Sequence, residues 1–296
     1  MQKTAFISII GRPNVGKSSI LNRLIGQKIA IVTPKPQTTR TRIMGVLTEG
    51  DTQLVFTDTP GFHQPKTLLG EKMVQAVGDS ISGVDVCMLV VEPEKEIHTA
   101  EVELLNKIKK LSPPAVLVIN KIDTLKNKAE ILQTIDLFRS EYDFDAIVPV
   151  SAKDGDGLDD LLQVLLSHAY ESVHFFPDDA LTDQPERVIA AEIIREKLLL
   201  LLDKEIPHGT AVSIERFYER EDGSGILDID AEIYCERDSH KGIIIGKKGA
   251  MLKEVSTRAR VDMENFFGCK VFLTTHVKVK EGWRNRSGLI RNFGLD

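Results

Sequence analysis

Cysteine is scarce in this chain: three residues in 296, at positions 87, 235 and 269. None falls in a C-x-x-C or other metal-ligand spacing, so a zinc module and a disulfide framework are both excluded. Cys87 stands in a strongly apolar run and reads as a small buried hydrophobe. This usage fits a reducing compartment, and a cytoplasmic location is expected. Long apolar runs are lacking as well. Stretches such as Leu198–Leu202 are five residues long, far short of the roughly 20 that span a bilayer. No leader is expected either, because Met1-Gln2-Lys3-Thr4 passes directly into a strand-like segment. An overall basic charge is also missing: the net charge is −6, so the whole chain does not advertise a polyanion partner.

The distribution of charge says more than the total. From Glu236 to Asp296 there are 13 basic and 7 acidic residues, a net of +6, while the remainder carries 25 against 37, a net of −12. Such asymmetry points to a nucleic-acid or membrane-surface face near the C-terminal end, or to a helix of solvated lysines. The length suggests two domains at roughly 100–200 residues each. In the first part, strand and helix signals alternate. Ala5–Ile10, Gln53–Thr57, Val84–Val91, Ala115–Ile119 and Ala146–Val150 read as strands. Helices are expected from Lys17 and over Glu101–Lys110, Ala129–Ser140 and Leu158–His168. That alternation implies an α/β fold with a mostly parallel sheet and helices on both faces, whose ligands bind beyond the carboxyl ends of the strands.

Gly11-Arg12-Pro13-Asn14-Val15-Gly16-Lys17-Ser18 matches G-x-x-x-x-G-K-[ST] in full, after a strand and at the start of a helix. Backbone N–H groups of such a loop wrap phosphates, and the helix N-terminus adds partial positive charge. Lys17 is placed to reach the β- and γ-phosphates, Ser18 to bind Mg²⁺, and Ser19 completes the set of candidate phosphate contacts. Three further segments follow strand ends in order. Asp58-Thr59-Pro60-Gly61 is a D-x-x-G whose carboxylate holds Mg²⁺ and whose Gly61 N–H senses the γ-phosphate. Asn120-Lys121-Ile122-Asp123 supplies a carboxylate for the guanine N1 and N2 hydrogens, which adenine lacks. Ser151-Ala152-Lys153 brings a backbone N–H towards the guanine O6. The expected ligands are therefore GTP and GDP, with Mg²⁺-dependent hydrolysis of GTP. A metabolic P-loop kinase, the competing reading, needs no guanine selectivity. Between the first two motifs, the polar segment 33–41 can order around the γ-phosphate. Thr39, in preference to Thr38, is the candidate to complete the Mg²⁺ shell.

The segments GRPNVGKSS, QTTR, DTPGF, NKID and SAK resemble the TrmE–Era class of bacterial translation GTPases. Ras-like enzymes carry a glutamine after the D-x-x-G to orient the attacking water; here the residue is Phe62, whose side chain cannot do so. The resemblance implies a slow intrinsic rate and dependence on a partner or a monovalent cation. It also makes Asn14 a candidate K⁺ ligand, with a loop-stabilising hydrogen bond as the plainer role.

After about residue 172 the pattern changes. The Pro- and Asp-bearing stretch 173–186 reads as a linker or docking segment between a domain over 1–172 and a second over 187–296. The second reads as a helix, two strands, two helices and a strand, with a hairpin turn at Glu221-Asp222-Gly223-Ser224-Gly225. Ile243-Ile244-Ile245 runs into Gly246-Lys247-Lys248-Gly249, a G-x-x-G between helices. Such a turn lets backbone lie against a nucleic-acid backbone while lysines contact phosphates. Ile244, Ile245, Gly246, Lys247, Lys248 and Gly249 are the candidate RNA contacts, with the isoleucines as one wall of a groove. In this element order the half resembles an α+β type II KH domain. A GTPase domain followed by one KH domain is the arrangement of the Era family, and HFFPDD, EIIREK and VKVKEGW extend the resemblance along the chain. It implies binding near the 3′ end of small-subunit ribosomal RNA, a role in assembling the small ribosomal subunit and maturing its RNA, and loose peripheral membrane association; a monomeric state is expected. The competing reading is a regulatory GTPase whose C-terminal module binds protein or membrane.

Overall fold

The computed structural model describes residues 1–62, 64–127 and 129–295. Its contacts divide the chain into two units. One comprises Met1–Ala30, Thr39–Lys66 and Gly70–Asp183; the other comprises Ile31–Thr38, Thr67–Leu69 and Gln184–Asp296. The last residue, Asp296, lies outside the described residues.

In the first unit the order is β1 (Lys3–Gly11), α1 (Lys17–Ile25), β2 (Ile43–Glu49), β3 (Thr52–Asp58), α2 (Leu68–Ile81, of which the first two residues fall in the other unit), β4 (Val86–Val91), α3 (Thr99–Leu111), β5 (Ala115–Ile119), α4 (Ala129–Arg139), β6 (Ala146–Pro149), α5 (Leu158–Ser167) and β7 (Tyr170–Glu171). The sheet runs β2-β3-β1-β4-β5-β6, and β7 pairs with the start of β1. Pairing is parallel except for β2 on β3 and β7 on β1. Every residue of β4 and β5 is buried, because alternate side chains feed two cores. Ile7, Ile9, Met88 and Val90 pack under α1 and α5, whereas Cys87, Leu89, Leu117 and Ile119 pack under α2, α3 and α4. Burial pushes the Cys87 thiol up to about 12, so it behaves as the inert hydrophobe its setting suggests. Sequence pattern missed β2, whose strand follows directly on the polar segment.

The stretch after β7 is packed down rather than free. Gln53 accepts from the Phe175 and Phe176 amides at 2.8 and 3.0 Å and donates to the Phe176 carbonyl at 3.0 Å. Phe175 meets Phe6 edge-on with ring centroids 5.0 Å apart, and Leu181 and Thr182 bond to the β2 edge through Val46 and Met44.

The second unit contains α6 (Glu186–Leu201), β8 (Ala211–Glu219), β9 (Ile226–Cys235), α7 (Asp238–Ile245), α8 (Ala250–Phe267), β10 (Lys270–Val279) and α9 (Ser287–Asn292). Its sheet runs β10-β9-β8, with β10 parallel and β8 antiparallel to the central β9. Ile229, Ala231 and Ile233 on one face of β9 pack with Ile194 and Leu198 of α6 and with Val255, Ala259 and Met263 of α8. The chain end is fixed by Trp283, fully buried, whose indole N–H donates to the Gly209 carbonyl at 2.9 Å.

Candidate functional site

The loop between β1 and α1 turns on glycine. Gly16, at φ 98°, is the N-terminal cap of α1, and a Cβ there would stand 2.1 Å from the Asn120 side-chain nitrogen. No other residue fits that approach. Lys17 is buried and donates to the carbonyls of Gly11 and Arg12 at 3.1 and 2.9 Å. Burial lowers its ammonium to about 8, opposed by the charge of Asp58. Arg12 is held from outside the motif by Glu101 at 2.8 Å and by Glu94. Nothing in the spacing of residues 12, 94 and 101 announces that anchor. Asn14 is exposed in the left-handed region, at φ 66°.

Three oxygens converge beside this loop. The Ser18 hydroxyl donates to Asp58 Oδ2 at 2.5 Å and lies 3.0 Å from the Thr39 hydroxyl. Asp58 is fully buried; desolvation raises its carboxyl to about 6, against the charge of Lys17 and the hydrogen bond from Ser18. Its Oδ1 is buried with no hydrogen-bond partner among the described residues. A carboxylate with a spare buried oxygen beside two hydroxyls suits a hard cation, and Mg²⁺ is ordinarily held by one or two carboxylates together with substrate phosphates. Thr38 points elsewhere, with its hydroxyl 2.7 Å from Thr33 Oγ1 and donating to the Lys35 carbonyl at 2.7 Å.

Past Asp58, Thr59 is buried and donates to the Ile9 carbonyl at 2.8 Å, and the Phe62 amide donates to Gly11 O at 3.1 Å. Pro60 and Gly61 are buried between them. The Phe62 ring joins the core with Ile10, Val77 and Leu104 and lies beneath the Lys107 ammonium. It is packing material, as its apolar character suggests.

Asn120 spends both halves of its amide on the protein. It donates to Val15 O at 2.8 Å and accepts from the Ala152 amide at 3.0 Å. It thus bolts the phosphate loop to the Ser151–Lys153 loop. Asp123 accepts from Ser151 Oγ at 3.0 Å, and the Lys153 ammonium stands 3.6 Å away. Lys121, at φ 66°, is ion-paired with Glu92. Arg23 of α1 donates to Ala152 O at 2.9 Å. Among the described residues, the sequence motifs are therefore tied into one loop cluster at the carboxyl ends of β1, β3, β5 and β6.

In the second unit, α7 ends at Gly246, which adopts φ 73° and ψ 177°, a conformation essentially restricted to glycine. A Cβ there would meet Met251 Cβ at 2.7 Å. Lys248 and Gly249 are also left-handed, at φ 53° and 80°, and both Lys247 and Lys248 are exposed. One expectation is corrected. Ile244 does not line a groove: helical spacing turns it into the core, fully buried, whereas Ile243 is half exposed and Ile245 partly so. Arg258 and Arg260 pair with Glu254 and Glu264 on their own helix, at 2.7 and 3.0 Å.

Comparison with known proteins agrees with both halves. The family model described as 50S ribosome-binding GTPase matches residues 6–121, and the KH domain model matches residues 205–284. The chain is 48% identical to the GTPase Era of Ruminiclostridium cellulolyticum over 292 residues, covering 99% of this chain and 97% of that one. It is 48% identical to the GTPase Era of Clostridioides difficile over 296 residues, covering 100% and 99%. Among solved structures, it is similar to Era in complex with MgGDPNP and nucleotides 1506–1542 of 16S ribosomal RNA, with a TM-score of 0.96, 39% identity, and coverage of 100% of this chain and 99% of that one. A variant of Aquifex aeolicus Era bound to GDP·AlF4⁻ matches with a TM-score of 0.95 and 39% identity over 99% of both chains. The chain belongs to the Era family of GTPases, enzymes that hydrolyse GTP to GDP and phosphate.

Proposed function

We propose that this chain is a GTP-driven switch that binds small-subunit ribosomal RNA near its 3′ end and acts in assembly of the small subunit and maturation of its RNA. One observation carries the reading: a loop cluster built from the four nucleotide motifs and a G-x-x-G turn with two exposed lysines occur in one chain. Full-length similarity to an Era protein solved with a 16S RNA segment supports the choice of RNA.

In this reading the backbone N–H groups of Gly11–Ser18 and the Gly61 N–H hold the phosphates, with Ser19 beside them, and Lys17 neutralises the charge that builds on the transferred group. Asp123 accepts from the guanine base, with Ala152 and its neighbours at O6. Ser18, Asp58 and Thr39 hold Mg²⁺, which supplies further neutralisation of the phosphates. Asn14 is the proposed K⁺ ligand. Lys247 and Lys248 contact RNA phosphates while the 246–249 backbone lies close to the strand. The domain limits proposed are 1–172 and 187–296. The chain is proposed to work in the cytoplasm as a monomer. No helix among the described residues is long and apolar enough to cross a membrane.

The test is binding of a labelled 3′-terminal fragment of small-subunit RNA to the full chain with Mg²⁺ and either GDPNP or GDP, across a salt series. Tighter binding in one nucleotide state and a steep loss with salt are expected. Absence of binding in both states removes the RNA role and leaves a protein- or membrane-binding module as the reading, and salt-independent binding removes the lysine–phosphate contacts.

A further inference from the structure

Helix α6 carries Arg195, Glu196 and Lys197 in succession, and all three are buried. Burying charge is costly unless each group is paired and hydrogen-bonded. Lys197 is accounted for within the C-terminal part, by Glu196 at 2.7 Å and by Asp262. Arg195 and Glu196 also face another segment. Glu196 Oε1 accepts from the Val32 amide at 3.0 Å. Arg195, braced by Glu192 at 2.7 Å through its Nε, donates through Nη2 to the Thr38 carbonyl. The Lys35 ammonium donates to Leu202 O, just beyond the end of α6. Glu192, Arg195, Glu196 and the fully buried Leu199 share the i, i+3, i+4, i+7 face of the helix. The segment they receive, Ile31–Thr38, clusters with the second unit although the chain on either side of it belongs to the first.

We propose that this face of α6 is a clamp on the backbone of residues 32–38, and that Arg195 is thereby a positioning residue for the GTPase site. Its bond is to the carbonyl of Thr38, whose peptide group leads directly into Thr39. The Thr39 hydroxyl stands 3.0 Å from Ser18 Oγ. Seating 32–38 on α6 limits where Thr39 can go and lowers the entropy lost when it engages the cation and γ-phosphate. By linkage the effect runs both ways: Mg²⁺ and a γ-phosphate that hold Thr39 also favour the seated segment. GDP lacks the γ-phosphate and gains little. The inference rests on Thr39 as the Mg²⁺ contact proposed above.

The experiment uses the full chain with Arg195→Gln and, from the loop side, Lys35→Met, which leaves every α6 residue in place. Hydrogen exchange of the amides in 32–38, measured without nucleotide, is expected to quicken about tenfold in Arg195→Gln, the loss of one charge-assisted hydrogen bond, and less in Lys35→Met. The Mg²⁺ concentration for half-maximal GDPNP binding rises by a similar factor while GDP affinity stays put. Arg195→Lys, which keeps a charged donor, recovers part of both. If Arg195→Gln does not fold, Lys35→Met decides. Unchanged exchange in the folded variants overturns the clamp, and faster exchange with an unmoved Mg²⁺ requirement overturns the positioning role. Thr39→Ala separates the two ideas: an unaltered Mg²⁺ requirement there removes the Thr39 assignment, while the exchange data still judge the clamp.

Discussion

Replacing Asn120 with alanine removes two buried hydrogen bonds and leaves both partners, Val15 O and the Ala152 amide, where water does not readily reach them. An unsatisfied buried backbone group costs about 1–3 kcal/mol, so two together cost about 3 kcal/mol after partial relaxation. For a unit of this size that is a fall of roughly 6–12 °C in Tm. The assay is a calorimetric melt of the full chain without nucleotide, with the first unit's transition followed. Nucleotide affinity also drops, for GDP and for other nucleoside diphosphates alike, because the two loops lose their common bolt. Asp123→Ala is the contrast. Its carboxylate retains some exposure and its partners are the side chains of Ser151 and Lys153, so stability changes little. Guanine affinity is expected to fall about hundredfold, the scale of losing a charged acceptor for two donors. An Asn120→Ala protein that melts within about 1 °C of the parent refutes the bolt.

Three further outcomes are expected. Trp283→Phe leaves the buried Gly209 carbonyl without its indole donor, so the second unit loses about 1–2 kcal/mol in urea unfolding; an unchanged midpoint argues that another donor takes over. Gly246→Ala forces a side chain into a glycine-only conformation and against Met251, costing about 1–3 kcal/mol of stability, with RNA affinity falling as well if the turn is the contact. His174 is held by Asp178 at 2.6 Å and by the Asp51 carbonyl at 3.1 Å. The hydrogen bond to Asp178 raises its pKa, so its contribution to packing of the 172–178 stretch is complete below the ordinary histidine value. That contribution is lost as pH rises through the raised value. Exchange of the Phe175 and Phe176 amides, corrected for intrinsic rate, should quicken over that window and lose the dependence in His174→Gln.

What could be read in the sequence and what could not divide along a physical line. Each nucleotide motif combines a short local pattern with a strand end, and a parallel sheet aligns its strand ends by construction; the loops then meet without further information. The same holds for the G-x-x-G turn, whose glycines follow from backbone geometry over four residues. Local pattern failed where the deciding contact is distant. Ile244 belongs to a run of three identical isoleucines, and only the packing of α7 on α8 and β9 selects which one is buried. Strand β2 escaped notice because its partner is β3 and its other edge is held by Thr182 and Leu181, far along the chain. The charged run in α6 is the clearest case. Arg195 and Thr38 are 157 positions apart, and the bond is to a carbonyl that every residue possesses. No side-chain type at position 38 could have signalled it. The signal was on the other partner: three consecutive ionic residues in a helix otherwise rich in leucine and isoleucine. A helix buried on several sides retains such residues only where fixed polar groups meet them, and here part of those groups is the backbone that leads into Thr39.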